Sequence, residues 1–183
     1  SWPPQVDVAR PGACWRCGQP AYEGGRVRVQ GHGVVARQQR GPPGAGQPAR
    51  TQQSASRRYR CTGCGAVMTV LPAPAQPHKH FLGAAIALAL ALWGLGGWSA
   101  ARVHETVSDW GHTGASARGW RSLSRWAGQV AQGRLFATLA LTAEGGARQV
   151  AARAAQALCG HAPPQVRGQG LGAQSFAGAC RME

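Results

Sequence analysis

Two pairs of cysteines, each followed directly by glycine, constrain this chain more than any other feature: Cys14-Trp15-Arg16-Cys17-Gly18 and Cys61-Thr62-Gly63-Cys64-Gly65. Two intervening residues let both sulfurs of a pair point at one ion. The glycine after each pair supplies the positive φ that turns the chain while backbone N–H groups face sulfur. Four thiolates form a closed, soft, tetrahedral site with no open coordination position, which suits one structural zinc ion. The expected ligands are Cys14, Cys17, Cys61 and Cys64. A redox C-x-x-C would sit within a βαβ pattern, whereas the flanks here are rich in Gly, Pro and Arg. A disulfide framework would accompany secretion, and Ser1-Trp2-Pro3-Pro4 does not open a charged segment followed by an apolar run. Cys159 and Cys180 fall in no ligand pattern and read as reduced thiols.

Charge narrows the choice of partner. Of 183 residues, 20 are basic and 6 acidic, giving a net charge of +14 and a pI near 11.4. Every basic residue but Lys79 is arginine. A coding bias toward Arg, Ala, Gly and Pro accounts for Arg in place of Lys, but not for the scarcity of Asp and Glu. The balance favours a polyanionic partner, whose counterions clustered Arg would release. Asp7, Glu23, Glu105, Asp109, Glu144 and Glu183 are scattered, and no pair has the spacing of a two-metal nuclease or a glycosidase. With no nucleophile, base and orienter set either, the chain does not read as an enzyme.

In chain order, residues 1–13 form an extended lead-in and residues 14–75 a small β zinc ribbon. Arg26-Val27-Arg28-Val29-Gln30 alternates as a half-buried strand does, Gly31-His32-Gly33 gives a turn, and Val34 to Arg37 returns. Residues 38–56 carry Gly-Pro-Pro-Gly and Gln/Ser/Ala runs without an apolar period, the pattern of a flexible loop inside the ribbon. Ala66 to Leu71 leaves the second cysteine pair as a strand, and Pro72, Pro74 and Pro77 stiffen a linker.

Residues 81–158 predict an all-α domain. Phe81 to Ala101 is uncharged, which raises a membrane span as a rival reading. Gly94, Gly96 and Gly97 cut the compact part back to Phe81–Trp93, a length that suits a buried core helix better. Ser99 is the expected N-cap of a second helix reaching Ser108 or Asp109, with Ala100, Val103, Val107 and Trp110 inward. A third helix is expected from near Ser116, with Trp120, Leu123, Ala127 and Val130 on one face and Arg118, Arg121, Ser122 and Arg125 opposite. An apolar face opposed by Arg and Ser is what a major-groove helix needs, since Arg can donate two hydrogen bonds to guanine. A last amphipathic helix runs from about Thr142 to Leu158, and the Gly-rich residues 159–183 read as a disordered tail. The predicted fold class is α+β: a small β zinc ribbon followed by an all-α, helix-turn-helix-like domain.

Taken together, Cys14-x-x-Cys17-Gly18, Gly31-His32-Gly33, Arg57-Arg58-Tyr59-Arg60-Cys61-x-x-Cys64, Leu71-Pro72, the Ala/Leu helix, Gly96-Gly97-Trp98-Ser99 and the Trp-containing basic helix resemble a known arrangement. It is the zinc-ribbon and helix-turn-helix front end of bacterial insertion-sequence transposases and their short stand-alone relatives. The resemblance covers roughly residues 14 to 130. It implies zinc on the four cysteines, DNA contact from the Arg-bearing helix, and association with a mobile element as accessory protein, regulator or remnant. A transposase or another protein is then a further partner, and the expected location is cytoplasmic, at the nucleoid. Those transposases also carry a large RNase-H-like domain with three metal-binding carboxylates, which nothing after residue 130 supplies. Arg57, Arg58 and Arg60 would hold phosphates, and Arg118, Arg121, Ser122 and Arg125 would approach the groove. No small-molecule substrate is expected. The rivals are an inner-membrane-anchored zinc ribbon with residues 81–101 as its span, and a ribbon that binds protein.

Overall fold

The computed structural model describes residues 3–71, 75–111, 119–142 and 144–182. Arg118, Ser116, Pro72 and Pro74 therefore lie outside the described residues. The chain is mixed α and β, with strands gathered before residue 71 and helices after residue 82. It divides into two compact units, Ser1–Gln39 with Gln52–Ala73, and Arg40–Thr51 with Pro74–Glu183.

Among the described residues the first unit is built from five strands. β1 (Tyr22–Glu23) and β2 (Arg26–Val27) pair antiparallel around Gly24-Gly25. Both glycines have positive φ, 55° and 74°, as the tight turns that match strand twist require. β3 (Val29–Gly41), β4 (Arg50–Cys61) and β5 (Val67–Val70) form a three-stranded sheet in that order. Its small core holds Val29, Tyr59, Met68, Ala21 and Ala66 together with Cys14 and Cys61. The Tyr59 hydroxyl donates to the Val6 carbonyl at 2.7 Å, which draws the N-terminal segment onto the sheet.

Two expectations fail here. Gly31-His32-Gly33 is not a turn, because β3 runs straight through it. The reason for Gly31 is close approach: a Cβ there would sit 2.6 Å from Val6 Cγ2. Residues 38–56 are not a flexible loop, since β3 reaches Gly41 and β4 begins at Arg50. β3 is largely exposed and β4 mostly half-buried or buried, and the buried strand residues within this stretch are Gln39, Gly41 and Ser56, none with an apolar side chain. Backbone pairing therefore sustains the ribbon without the apolar alternation that marks a half-buried strand.

The second unit is organised around α1 (Gly83–Gly94), in which every residue from Gly83 to Ala91 is buried. A helix apolar all round has no solvent face and must be enclosed. It packs chiefly on α4 (Ala147–Gly160) and α5 (Leu171–Arg181), and also on α2 (Ala100–Val107) and α3 (Ser122–Ala131). Among the described residues, no helix is long and apolar enough to cross a membrane. Ser99 caps α2 as expected, its side chain accepting from the Arg102 N–H at 3.3 Å, and Val103 and Val107 face inward. Trp110, expected in the same stripe, is half exposed because the helix ends at Val107.

The stretch 159–183, expected to be disordered, contains α5. Phe176 and Ala179 enter the core, and the Ser175 hydroxyl, fully buried, donates to the Ala87 carbonyl of α1 at 3.2 Å. Small residues carry this packing. A Cβ at Gly178 would collide with the Leu158 carbonyl of α4, and one at Gly94 would lie 2.5 Å from the Ala152 nitrogen. Gly178, one of the glycines that make the tail read as irregular, is what lets α5 touch α4.

Candidate metal centre and basic surfaces

The two cysteine pairs adopt the same local fold. The Gly18 N–H donates to the Cys14 carbonyl at 2.8 Å, and the Gly65 N–H to the Cys61 carbonyl at 3.0 Å. Gly18 and Gly65 have φ of 72° and 71°, a region costly for any residue with a Cβ. Each turn is closed at its base, by Cys14 N–H to the Gln19 carbonyl at 2.8 Å and by Cys61 N–H to the Ala66 carbonyl at 2.9 Å. The second turn is further anchored to the residue between β2 and β3 by the Thr62 N–H on the Arg28 carbonyl, 2.9 Å.

This folding brings the four sulfurs into one cluster. Cys14 Sγ lies 3.6 Å from Cys64 Sγ and Cys17 Sγ 3.7 Å from Cys61 Sγ, and all four lie within 4.8 Å of one another. A tetrahedron with metal–sulfur bonds of about 2.3 Å has edges of about 3.8 Å. The observed spacing is far beyond a disulfide bond of about 2.05 Å, and all the cysteines are unbridged. Cys14 and Cys61 are buried, Cys64 is half-buried and Cys17 exposed. The donor set fits a metal ion.

Proton affinities in the cluster diverge. The Cys17 N–H in front of its sulfur lowers Cys14 to about 7, and the Cys64 N–H likewise lowers Cys61. At Cys17 the Gln19 N–H pulls downward, but the neighbouring thiols, Cys64 foremost, and burial together push it up to about 12. The N–H groups of each turn favour a thiolate at its first cysteine, while four negative sulfurs at this spacing need a cation to coexist.

The arginines expected to meet nucleic acid divide by environment. On β4, Arg57, Arg58 and Arg60 pair across from Val70, Thr69 and Val67 of β5. The Arg57 Nε donates to the Pro4 carbonyl, so this side chain is committed to holding the N-terminal segment. Arg58 is half-buried, and Arg60 is exposed. In the second unit Arg121 takes the N-cap position of α3 and is exposed, Ser122 is half-buried, and Arg125 is exposed. Arg118, expected on this face, lies outside the described residues. The buried face of α3 is Leu123, Trp126, Ala127 and Val130. Trp126 takes the place expected for Trp120, because the helix begins only at Ser122.

Two features escaped the sequence reading. Trp15, between the first pair of ligands, is 75% exposed, with exposed Arg16 beside it. The signal available was an aromatic residue inside a metal-binding turn, where no core exists to bury it. The other is a cavity in the second unit lined by basic and aromatic residues, described below. Comparison with known protein families, characterised proteins and solved structures finds none that matches this chain.

Proposed function

We propose that this chain is a non-catalytic DNA-binding protein whose cysteine-bearing unit is a zinc ribbon holding one structural Zn2+. The observation that carries the metal is the sulfur spacing of 3.6 and 3.7 Å, close to a tetrahedral edge. Zinc, bound by Cys14, Cys17, Cys61 and Cys64, supplies folding energy to a unit whose apolar core is small. A closed site of four thiolates leaves no position for substrate, which supports a structural role.

Nucleic acid is favoured by the net charge of +14 and by what stands around the cluster. Trp15 and Arg16 project from the first turn, and Arg60 directly precedes Cys61. Basic side chains track phosphates while an exposed aromatic offers a stacking surface. In the second unit Arg121, Ser122 and Arg125 form the accessible basic side of α3, the helix proposed to approach the duplex. The motif resemblance to transposase front ends supports mobile-element DNA as the target.

The test is fluorescence anisotropy on a labelled DNA duplex across a salt series, with the zinc-loaded protein, the chelated protein and Arg60→Ala and Arg121→Ala/Arg125→Ala variants. Affinity that falls with salt, drops on chelation and weakens in the variants supports the proposal. An affinity and salt slope unmoved by these substitutions would sink it.

A further inference from the structure

A cavity of about 460 Å³ opens in the second unit between the segment 78–81, α2 and the start of α3. Its size falls within the range of small-molecule sites, roughly 300–1,000 Å³. Three basic side chains line it, Arg40, Lys79 and Arg125, and among the described residues its lining includes no carboxylate. The Lys79 ammonium is pushed below its ordinary range, first by burial and then by Arg125. Two cations held together with partial desolvation make a site that an anion relieves.

The other wall is aromatic and fixed. Trp120 meets Phe81, His104 and Trp126 edge-on, with ring centroids 5.7, 4.8 and 5.0 Å apart. It is only half-buried, and it lines the cavity. Interlocked rings of this kind hold an indole in one orientation, a surface suited to a flat ligand.

A third feature asks for a donor. Gln129 Oε1 is buried without a hydrogen-bond partner, and Gln129 lines the same cavity. An unsatisfied buried acceptor is costly, so its persistence at a cavity wall needs a reason. His78, on the rim, holds φ at 57°, a conformation that non-glycine residues adopt at a cost.

An anionic group, a planar ring and an N–H or O–H donor occur together in a nucleotide. We propose that this cavity takes one unstacked nucleotide, with its phosphate on Lys79 and Arg125, its base against Trp120, and a base or sugar donor on Gln129. Inorganic phosphate would satisfy only the first of these. A free nucleoside monophosphate and an unpaired nucleotide within a DNA strand present the same chemistry, and in the second form the inference rests on the DNA-binding reading above.

The experiment is calorimetric titration of the zinc-loaded full chain with adenosine 5′-monophosphate, inorganic phosphate, a single-stranded dodecamer of deoxyadenosine and a blunt 12-base-pair duplex. Gln129→Leu removes the acceptor at similar volume, and Lys79→Met removes a loop cation; thermal unfolding checks that both fold. Binding of adenosine monophosphate at one per chain, at least tenfold tighter than phosphate and about tenfold weaker in each folded variant, supports a free nucleotide. Preference for the single strand over the duplex, lost in the variants, supports the strand as the source. If adenosine monophosphate binds but neither DNA does, the cavity assignment stands and the DNA-binding reading falls. If the duplex binds while the monophosphate and single-strand preference are absent, the cavity assignment falls alone. Phosphate binding as tightly as the monophosphate, or variants that bind unchanged, would also overturn it.

Discussion

Thr51 holds the Asp109 carboxylate with two hydrogen bonds, its backbone N–H to Oδ2 at 2.6 Å and its hydroxyl to Oδ1 at 2.7 Å. The start of β4 is thereby tied to the chain just beyond α2. Beside this clamp the Arg40 guanidinium lies 3.7 Å from the centre of the Trp110 ring. The Thr51 hydroxyl foremost, and more weakly the positive charge of Arg40, hold the Asp109 carboxyl below its usual range.

A depressed folded-state pKa gives stability that is complete above the unfolded value, about 3.9, and is lost as pH falls through the folded value. Wild type should therefore melt higher than Asp109→Asn by a constant margin at neutral pH, and the margin should shrink in acid. Thermal midpoints from pH 2 to 7 would show it. A margin that stays constant down to pH 2 would refute the role of the charge.

Removing the metal should expose the four cluster thiols. Of the 6 cysteines, only Cys159 and Cys180 lie outside the cluster. Loaded protein should react through those two, and chelated protein through all six. Cys61→Ser should abolish stoichiometric zinc, whereas Cys180→Ser should leave it intact. Elemental analysis alongside thiol titration decides this, and zinc retained by Cys61→Ser would count against a four-cysteine site.

Neighbouring arginines on β4 should behave oppositely. Arg57→Ala loses the bond to the Pro4 carbonyl and should cost stability, on the order of 1 kcal/mol. Arg60→Ala should leave the melting temperature unchanged, weaken DNA binding and reduce its salt slope by about one. Trp15→Ala, also neutral for stability, should cost about 1–3 kcal/mol of single-strand affinity if the indole stacks on a base. Unfolding and binding curves on the three variants separate the roles.

Glycine substitutions should divide by contact rather than by helix propensity. Gly94→Ala and Gly178→Ala each force a methyl group into the backbone of α4, costing about 1–3 kcal/mol. Gly128→Ala on α3 meets nothing within 4 Å and should gain about 0.5–1 kcal/mol. Chemical denaturation of the three variants checks the contrast.

Legibility in the sequence followed the kind of force involved. The two cysteine turns and the Ser99 cap are local arrangements with residue-specific chemistry, and their spacing along the chain identifies them. Leu123, Ala127 and Val130 were readable from helical periodicity. The β3–β4 ribbon was not, because its buried positions between residues 38 and 56 are Gln39, Gly41 and Ser56, which leave no apolar alternation to read. Nor was α5, whose Gly172 and Gly178 lower helix propensity while its burial against α1 overrides that preference. The cavity depends on bringing Lys79, Trp120 and Gln129 together, and no spacing along the chain reports such a meeting.

The all-round burial of α1 also sets an order of events during synthesis. Its apolar surface leaves the ribosome with residue 94, but the partner that covers it through Ser175 and Phe176 is not made until residues 171–181. At roughly 5–20 residues per second, that interval lasts several seconds. For that time the nascent chain displays an incompletely covered Ala/Leu helix, a natural client for chaperones that shield hydrophobic segments.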